Sequence, residues 1–111
     1  LSPILIGNFI FTVSNEGYLH VLDKSKGNII RITDLYKNYK IRKRKNIIPA
    51  GFVIGNTKLY LTNYDGKMII VDLDNGNPIN IEKVSGDLIS KPFIFNQNLF
   101  IIRNGSIIQY N

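Results

Sequence analysis

The chain contains no cysteine and no tryptophan, and only one histidine and one methionine. Without cysteine there is no disulfide, no thiol nucleophile and no zinc–thiolate site. With His20 standing alone, neither a histidine-based triad nor a multi-histidine metal site can be assembled within the chain. Set in "YLHVL", His20 reads as a packed or surface strand residue. No apolar run approaches the roughly 20 residues that span a bilayer as a helix. Glycine-rich phosphate loops are missing too, since the glycines fall singly at turns, where a positive φ is the simpler need. The opening "LSPILIGN" has no charged segment leading into an apolar stretch, so no secretory leader is seen. It reads as an excerpt or a mature piece.

What is present is a globular composition, 44% apolar and 20% charged over 111 residues. That length suits one domain burying about two-thirds of its unfolded surface.

The chain also repeats itself. "FTVSNEGYLHVLDKSKGN" and "YLTNYDGKMIIVDLDNGN" align with Gly17 on Gly66, Asp23 on Asp72 and Gly27 on Gly76, each 49 residues apart. A third copy, "NLFIIRNGSIIQYN", puts Gly105 39 residues after Gly66. The lead-ins "SPILIGN", "AGFVIGN" and "KPFIFNQN" match as well, which aligns Asn8 with Asn56. Self-similarity at this period signals a repeat architecture. Each copy has short runs of β-branched and aromatic residues closed by polar turns, "NEG", "YDG" and "RNG". Asp65-Gly66 and Asn104-Gly105 suit tight hairpins that need φ > 0. The runs predict a meander of four strands per copy, the last copy stopping at three. No segment keeps a helical period, and "DLYKNY" has room for one helical turn at most.

"MIIV", "FIF" and "LFII" are apolar on consecutive positions, so both faces of each sheet are expected to be buried. The predicted fold is all-β: antiparallel four-stranded propeller blades in an incomplete propeller. Blade one is 1–34, a basic inter-blade loop is 35–47, blade two is 48–87, and partial blade three is 88–111. A sandwich is the competing architecture, and the repeat period argues against it. An unclosed ring leaves apolar faces and open edges, so either a larger parent protein or self-association is expected.

The repeat resembles the pyrroloquinoline-quinone-type propeller family, and within it the BamB-like outer-membrane assembly lipoproteins. The resemblance rests on the "SP…GN" lead-in (Ser2, Pro3, Gly7, Asn8), the turns at Gly17 and Gly66, and the tails Asp23/Gly27 and Asp72/Gly76. It implies a non-catalytic scaffold that binds protein partners of the outer-membrane assembly machinery, periplasmic and attached to the outer membrane. Quinoprotein dehydrogenases share the repeat but add a docking tryptophan and often an adjacent-cysteine disulfide, both missing here. A segment of such an enzyme is the alternative, and a propeller sensor domain of a membrane receptor is a second. No residue is assigned to catalysis, cofactor binding or metal ligation.

Charge is concentrated. From Lys37 to Lys45, "KNYKIRKRK" holds Lys37, Lys40, Arg42, Lys43, Arg44 and Lys45 with no acid. The chain's net charge is +6, so the remainder is neutral. The cluster coincides with the longer first repeat spacing and reads as an insertion between blades, which maps to a surface loop. Three readings compete: a solvated loop, a docking loop for an acidic partner or an anionic membrane surface, and a nucleic-acid contact in which Tyr36 and Tyr39 stack on bases. The blades lend no basic stripe, which makes nucleic acid the weakest of the three. The candidate partner-binding residues are Lys37, Tyr39, Lys40, Arg42, Lys43, Arg44 and Lys45.

Asp23 and Asp72 are expected to accept turn amides, and the turn glycines Gly17, Gly27, Gly66, Gly76 and Gly105 to serve architecture. Asp72 and Asp74 share a turn with no partner base, which argues against acid–base work. Asn104 heads a formal glycosylation sequon, better explained by its hairpin.

Overall fold

A computed structural model describes residues 1–84, 90–103 and 105–110. The strand-forming runs become β1 (Ile4–Ile6), β2 (Phe9–Val13), β3 (Tyr18–Asp23) and β4 (Ile29–Asp34). A single helical turn, α1 (Ile41–Arg44), follows. Next come β5 (Pro49–Gly55), β6 (Lys58–Asn63), β7 (Lys67–Asp72) and β8 (Pro78–Lys83). The last strands are β9 (Phe93–Phe95), β10 (Asn98–Arg103) and β11 (Ser106–Gln109). They pair as three antiparallel meanders, β1-β2-β3-β4, β5-β6-β7-β8 and β9-β10-β11. The fold is all-β, four-stranded blades with three strands in the last, and the ring is not closed.

The repeat extends to individual hydrogen bonds. The amide of Gly27 donates to the carbonyl of Asp23, and that of Gly76 to Asp72. Lys24 donates to Asn8 as Leu73 does to Thr57, and Leu35 donates to Gly17 as Val84 does to Gly66, the last two both at 2.9 Å. Sequence identity is loose between the copies, but these backbone hydrogen bonds of the turns recur between the first two meanders.

Sheets one and two enclose the larger core. Phe11, Val13, Leu19 and Val21 of the first meet Phe52, Leu59, Leu61, Ile69 and Val71 of the second. Met68, on the opposite face of sheet two, meets Leu99 and Ile101 of sheet three. Alternation along β7 explains this: Ile69 and Val71 point one way, Met68 and Ile70 the other. Burial of both faces therefore holds for the middle sheet alone. The outer sheets have a neighbour on one side only, and their far faces keep exposed Leu5, Ile32, Phe95 and Ile107.

Two local expectations are corrected. The lead-in alignment slips by one residue: Gly7-Asn8 links β1 to β2, but Asn56-Thr57, not Gly55-Asn56, links β5 to β6. Asn56 and Thr57 have φ of 49° and 62°, and Asn96-Gln97 repeats this between β9 and β10 at 50° and 64°. These are the two-residue left-handed turns. At Asp65-Gly66 only the glycine is left-handed, closing a wider loop through its amide to the Asn63 carbonyl. Asn104, of the other such pair, lies outside the described residues. The helical turn also falls on Ile41–Arg44 rather than on "DLYKNY", which forms hydrogen-bonded turns instead.

Candidate functional site

An antiparallel meander alternates its turns between two ends of the sheet. The turns 14–17 and 63–66 and the long connection 35–48 share one end; 7–8, 24–28, 56–57 and 73–77 share the other. The basic segment therefore caps one end of the interface between sheets one and two.

It is not a free loop. Leu35, Tyr36 and Ile47 are buried and belong to the larger core. The Tyr36 ring lies directly on Gly17, where a Cβ would sit 2.2 Å from the ring carbon and φ is +88°. Glycine is needed there twice over, for the turn and for the ring. The Tyr36 hydroxyl donates to Oδ1 of buried Asn63 at 2.5 Å, and Asn63 Nδ2 donates to the Lys67 carbonyl at 3.2 Å. Tyr36 is thus unavailable for stacking on a base, which corrects that expectation. Tyr39 is half-buried, edge-on to Tyr36 with centroids 5.5 Å apart, and its hydroxyl faces Asp65 Oδ2 at 3.5 Å. Burial pushes both phenols above the ordinary tyrosine range, and the Asp65 charge adds to this.

Arg44 fixes the far end of the segment. Its Nη1 and Nη2 donate to Asp34 Oδ2 and Oδ1, both at 2.8 Å, a bidentate pair at the end of β4. Its guanidinium also lies 5.9 Å from the Tyr18 ring centroid. The Asp34 hydrogen bonds hold the proton on Arg44 more firmly than usual. Asp34 Oδ1 accepts the Tyr36 amide as well, so one carboxylate ties both anchors together.

Between these anchors Lys37, Lys40, Arg42 and Lys43 are exposed, as is Lys45 just beyond Arg44. Among the described residues, Arg44 alone of the six basic side chains forms an ion pair. Ile41, among these charges, is 76% exposed. A shallow depression lined by Arg42, Lys43, Asn46, Ile47, Asp65 and Lys67 lies beside it. The acids of this end are few: Asp34 is engaged by Arg44, Asp65 faces Tyr39, and Glu16 sits in the neighbouring turn. The arrangement is a cationic surface anchored at both ends, with exposed Ile41 among its charges.

The other sequence candidates lie elsewhere. Asp23 Oδ1 accepts the Lys26 amide at 2.6 Å and the Ser25 hydroxyl at 3.1 Å, and the Lys26 bond above all holds its carboxyl below the usual range, burial opposing. Asp72 Oδ1 accepts the Asp74 amide at 2.8 Å. Gly17, Gly27, Gly66, Gly76 and Gly105 all have positive φ. His20 sits on the outward face of sheet one, between Thr12 and Ile32. Sequence reasoning missed Asn63, Asp34 and Gly17 as supports of the basic segment. Their signal was the repeat itself: Asn63 stands 49 residues after Ser14, with a longer side chain at a matched turn.

No known family profile matches the chain. An uncharacterized protein of Rickettsia conorii is 28% identical over 102 residues, covering 91% of this chain and 23% of that protein. One from Rickettsia prowazekii is 29% identical with the same coverage. The chain spans about a quarter of the length of the curated relatives it matches. Among solved structures, the quinohemoprotein alcohol dehydrogenase ADHIIG of Pseudomonas putida superposes with a TM-score of 0.69 at 19% identity, over 89% of this chain and 16% of that one. The Myceliophteria thermophila Cps50 (Swd1) β-propeller domain gives 0.69 at 12%, over 85% and 31%. BamB from Moraxella catarrhalis gives 0.67 at 14%, over 96% and 30%. These likenesses establish the β-propeller fold, spread over proteins of unlike activity.

Proposed function

We propose that the chain is a stretch of a non-catalytic β-propeller scaffold that docks an acidic protein surface through residues 37–45. In this proposal blade one is 1–34, blade two 48–87 and partial blade three 88–111, with 35–47 as the docking connection; the 87/88 boundary lies outside the described residues. The observation that carries this reading is the anchoring: Tyr36 and Arg44 fix both ends of a segment whose remaining charges face outward, unpaired by any described acid. A solvated loop has no need of a buried tyrosine, a bidentate ion pair and a glycine cut to fit. Holding the charges in place beforehand lowers the ordering cost of binding. Ile41 supplies the apolar contact that interface centres use.

The resemblance to BamB-like repeats, and the likeness to BamB in fold, support a periplasmic scaffold of outer-membrane assembly as the finer reading. Likeness to the quinohemoprotein enzyme suits a dehydrogenase segment as the second reading. Asp23 and Asp72 are engaged by turn amides, which favours the scaffold.

The test is binding of a fluorescent polyglutamate peptide to the wild type and to Lys40→Glu/Arg42→Glu/Lys43→Glu. The reading expects the triple variant to remain folded and to bind at least about 10-fold more weakly, each lost contact being worth about 0.5 kcal/mol or more. Equal binding by both proteins would overturn it. Tighter binding to phosphatidylserine vesicles than to the peptide would transfer the surface to a membrane.

A further inference from the structure

The contact between sheets one and two is not filled to its edge. Phe9 and Phe11 of β2, Val21 of β3 and Arg31 of β4 share the face of sheet one that turns toward sheet two, the last three as neighbours in register. Phe11 and Val21 are buried there, but Phe9 is 46% exposed. These side chains and the turn residues Leu73 and Asp74 line a cleft of about 400 Å³. It lies by the 73–77 turn, at the end away from residues 37–45, so nothing in it rests on the docking surface.

Arg31 is the unusual member. It is half-buried; Nη2 donates to the Leu73 carbonyl at 2.9 Å, and Nη1 faces the Asp74 carbonyl at 3.5 Å. Gly76 lies against the guanidinium, where a Cβ would sit 2.8 Å from Nε. Nε itself is buried with no acceptor. Among the described residues Arg31 forms no ion pair, although Asp74 lines the same cleft. The two carbonyls account for a donor at this position, not for a charge, and a half-buried cation without a counter-ion is costly. Nor does the repeat require it. Tyr60 and Ile70 stand for Phe11 and Val21 49 residues on, but Lys58 and Asn80 stand for Phe9 and Arg31. The exposed ring and the guanidinium therefore belong to this cleft and not to the architecture.

We propose that the cleft binds a small aromatic carboxylate, its charge on Arg31 and its ring against Phe9 and the apolar floor. A guanidinium pairs with a carboxylate through two parallel hydrogen bonds, and Phe9 and Phe11 offer rings to an aromatic body. One cation matches a monoanion, whereas a phosphate dianion would bring a charge that nothing in the cleft neutralises. The volume lies toward the lower end of small-molecule sites, which sets the size of the ligand.

The experiment is a ¹H–¹⁵N titration of the 111-residue chain with phenylacetate, compared with phenylacetamide, which keeps the ring and lacks the charge. Saturating shifts in the millimolar range are expected at the amides of residues 9–11 and 73–76 and at the Arg31 Nε–H. Phenylacetamide should bind at least about 10-fold more weakly, and Arg31→Gln should weaken phenylacetate by as much, since each gives up the charge-assisted pair. Phe9→Ala, at an exposed position, should weaken it about 5-fold through the lost ring contact. Asp74→Asn removes the acid of the cleft while keeping the amide that donates to Asp72, and should tighten binding about 2-fold. The comparison of the two ligands uses the wild type alone, so it stands even where a variant fails to fold. No saturation, equal binding of the amide, or shifts confined to residues 37–46 overturns the proposal. Wild-type affinity in Arg31→Gln or Phe9→Ala, or no tightening in Asp74→Asn, overturns it equally.

Discussion

Replacing Tyr36 by phenylalanine removes one oxygen and nothing else. In the folded chain that oxygen donates at 2.5 Å to Asn63 Oδ1, and both residues are fully buried. The loss leaves a buried carbonyl oxygen without its donor, which costs about 1–3 kcal/mol. For a chain of 111 residues the unfolding entropy is about 0.23 kcal/mol/K, so Tm should fall by about 4–13 °C. Urea unfolding by circular dichroism should show the midpoint lower by about 1 M with an unchanged slope. The comparison must be made at one fixed protein concentration, since association adds stability by mass action. Lys37→Ala, one residue along but exposed, should stay within about 0.5 kcal/mol of wild type. If Tyr36→Phe were as mild as Lys37→Ala, the segment would be a solvated loop and its anchoring a misreading.

The same burial makes stability fall in alkali. Tyr36 and Tyr39 have phenol pKa values raised in the folded state, so their contribution is fully present below the ordinary tyrosine value near 10 and is lost as pH rises above it. Each fully coupled phenol gives a slope of up to about 1.4 kcal/mol per pH unit, less for half-exposed Tyr39. Urea midpoints that stay flat above that pH would contradict this, and the double phenylalanine variant should lack the slope. Thr57 holds a β-branched side chain at φ 62°, so Thr57→Gly should stabilise the chain by about 1 kcal/mol, read as a rise in Tm. No gain there would mean that the hydrogen bond from Thr57 Oγ1 to the Asn56 carbonyl offsets the strain.

The meanders were legible because their signal is local: β-branched runs and turn glycines recurring at offsets of 49 and 39 residues. The turn slip at Gly55-Asn56 shows the limit of that signal. The dipeptide recurs, but strand pairing places Gly55 opposite Lys58 inside the ladder and gives the turn to Asn56-Thr57. The depth of burial was legible only for the middle sheet, since burial depends on what lies across a face and not on the strand's own composition. Charge likewise marked residues 37–45 as exposed, correctly for the lysines. It concealed Tyr36 and Arg44, whose roles depend on Gly17, Asn63 and Asp34, residues far along the chain or beyond the cluster.

Where an acidic ligand lands tests the docking surface most directly. A ¹H–¹⁵N titration of the chain with a polyglutamate peptide reads this residue by residue. Shifts confined to residues 37–46 and to Asp65 and Lys67 beside them are the predicted result. Shifts at the opposite end, around Gly7-Asn8, Lys24–Asn28 and Asn56-Thr57, or none at saturating peptide, would contradict it.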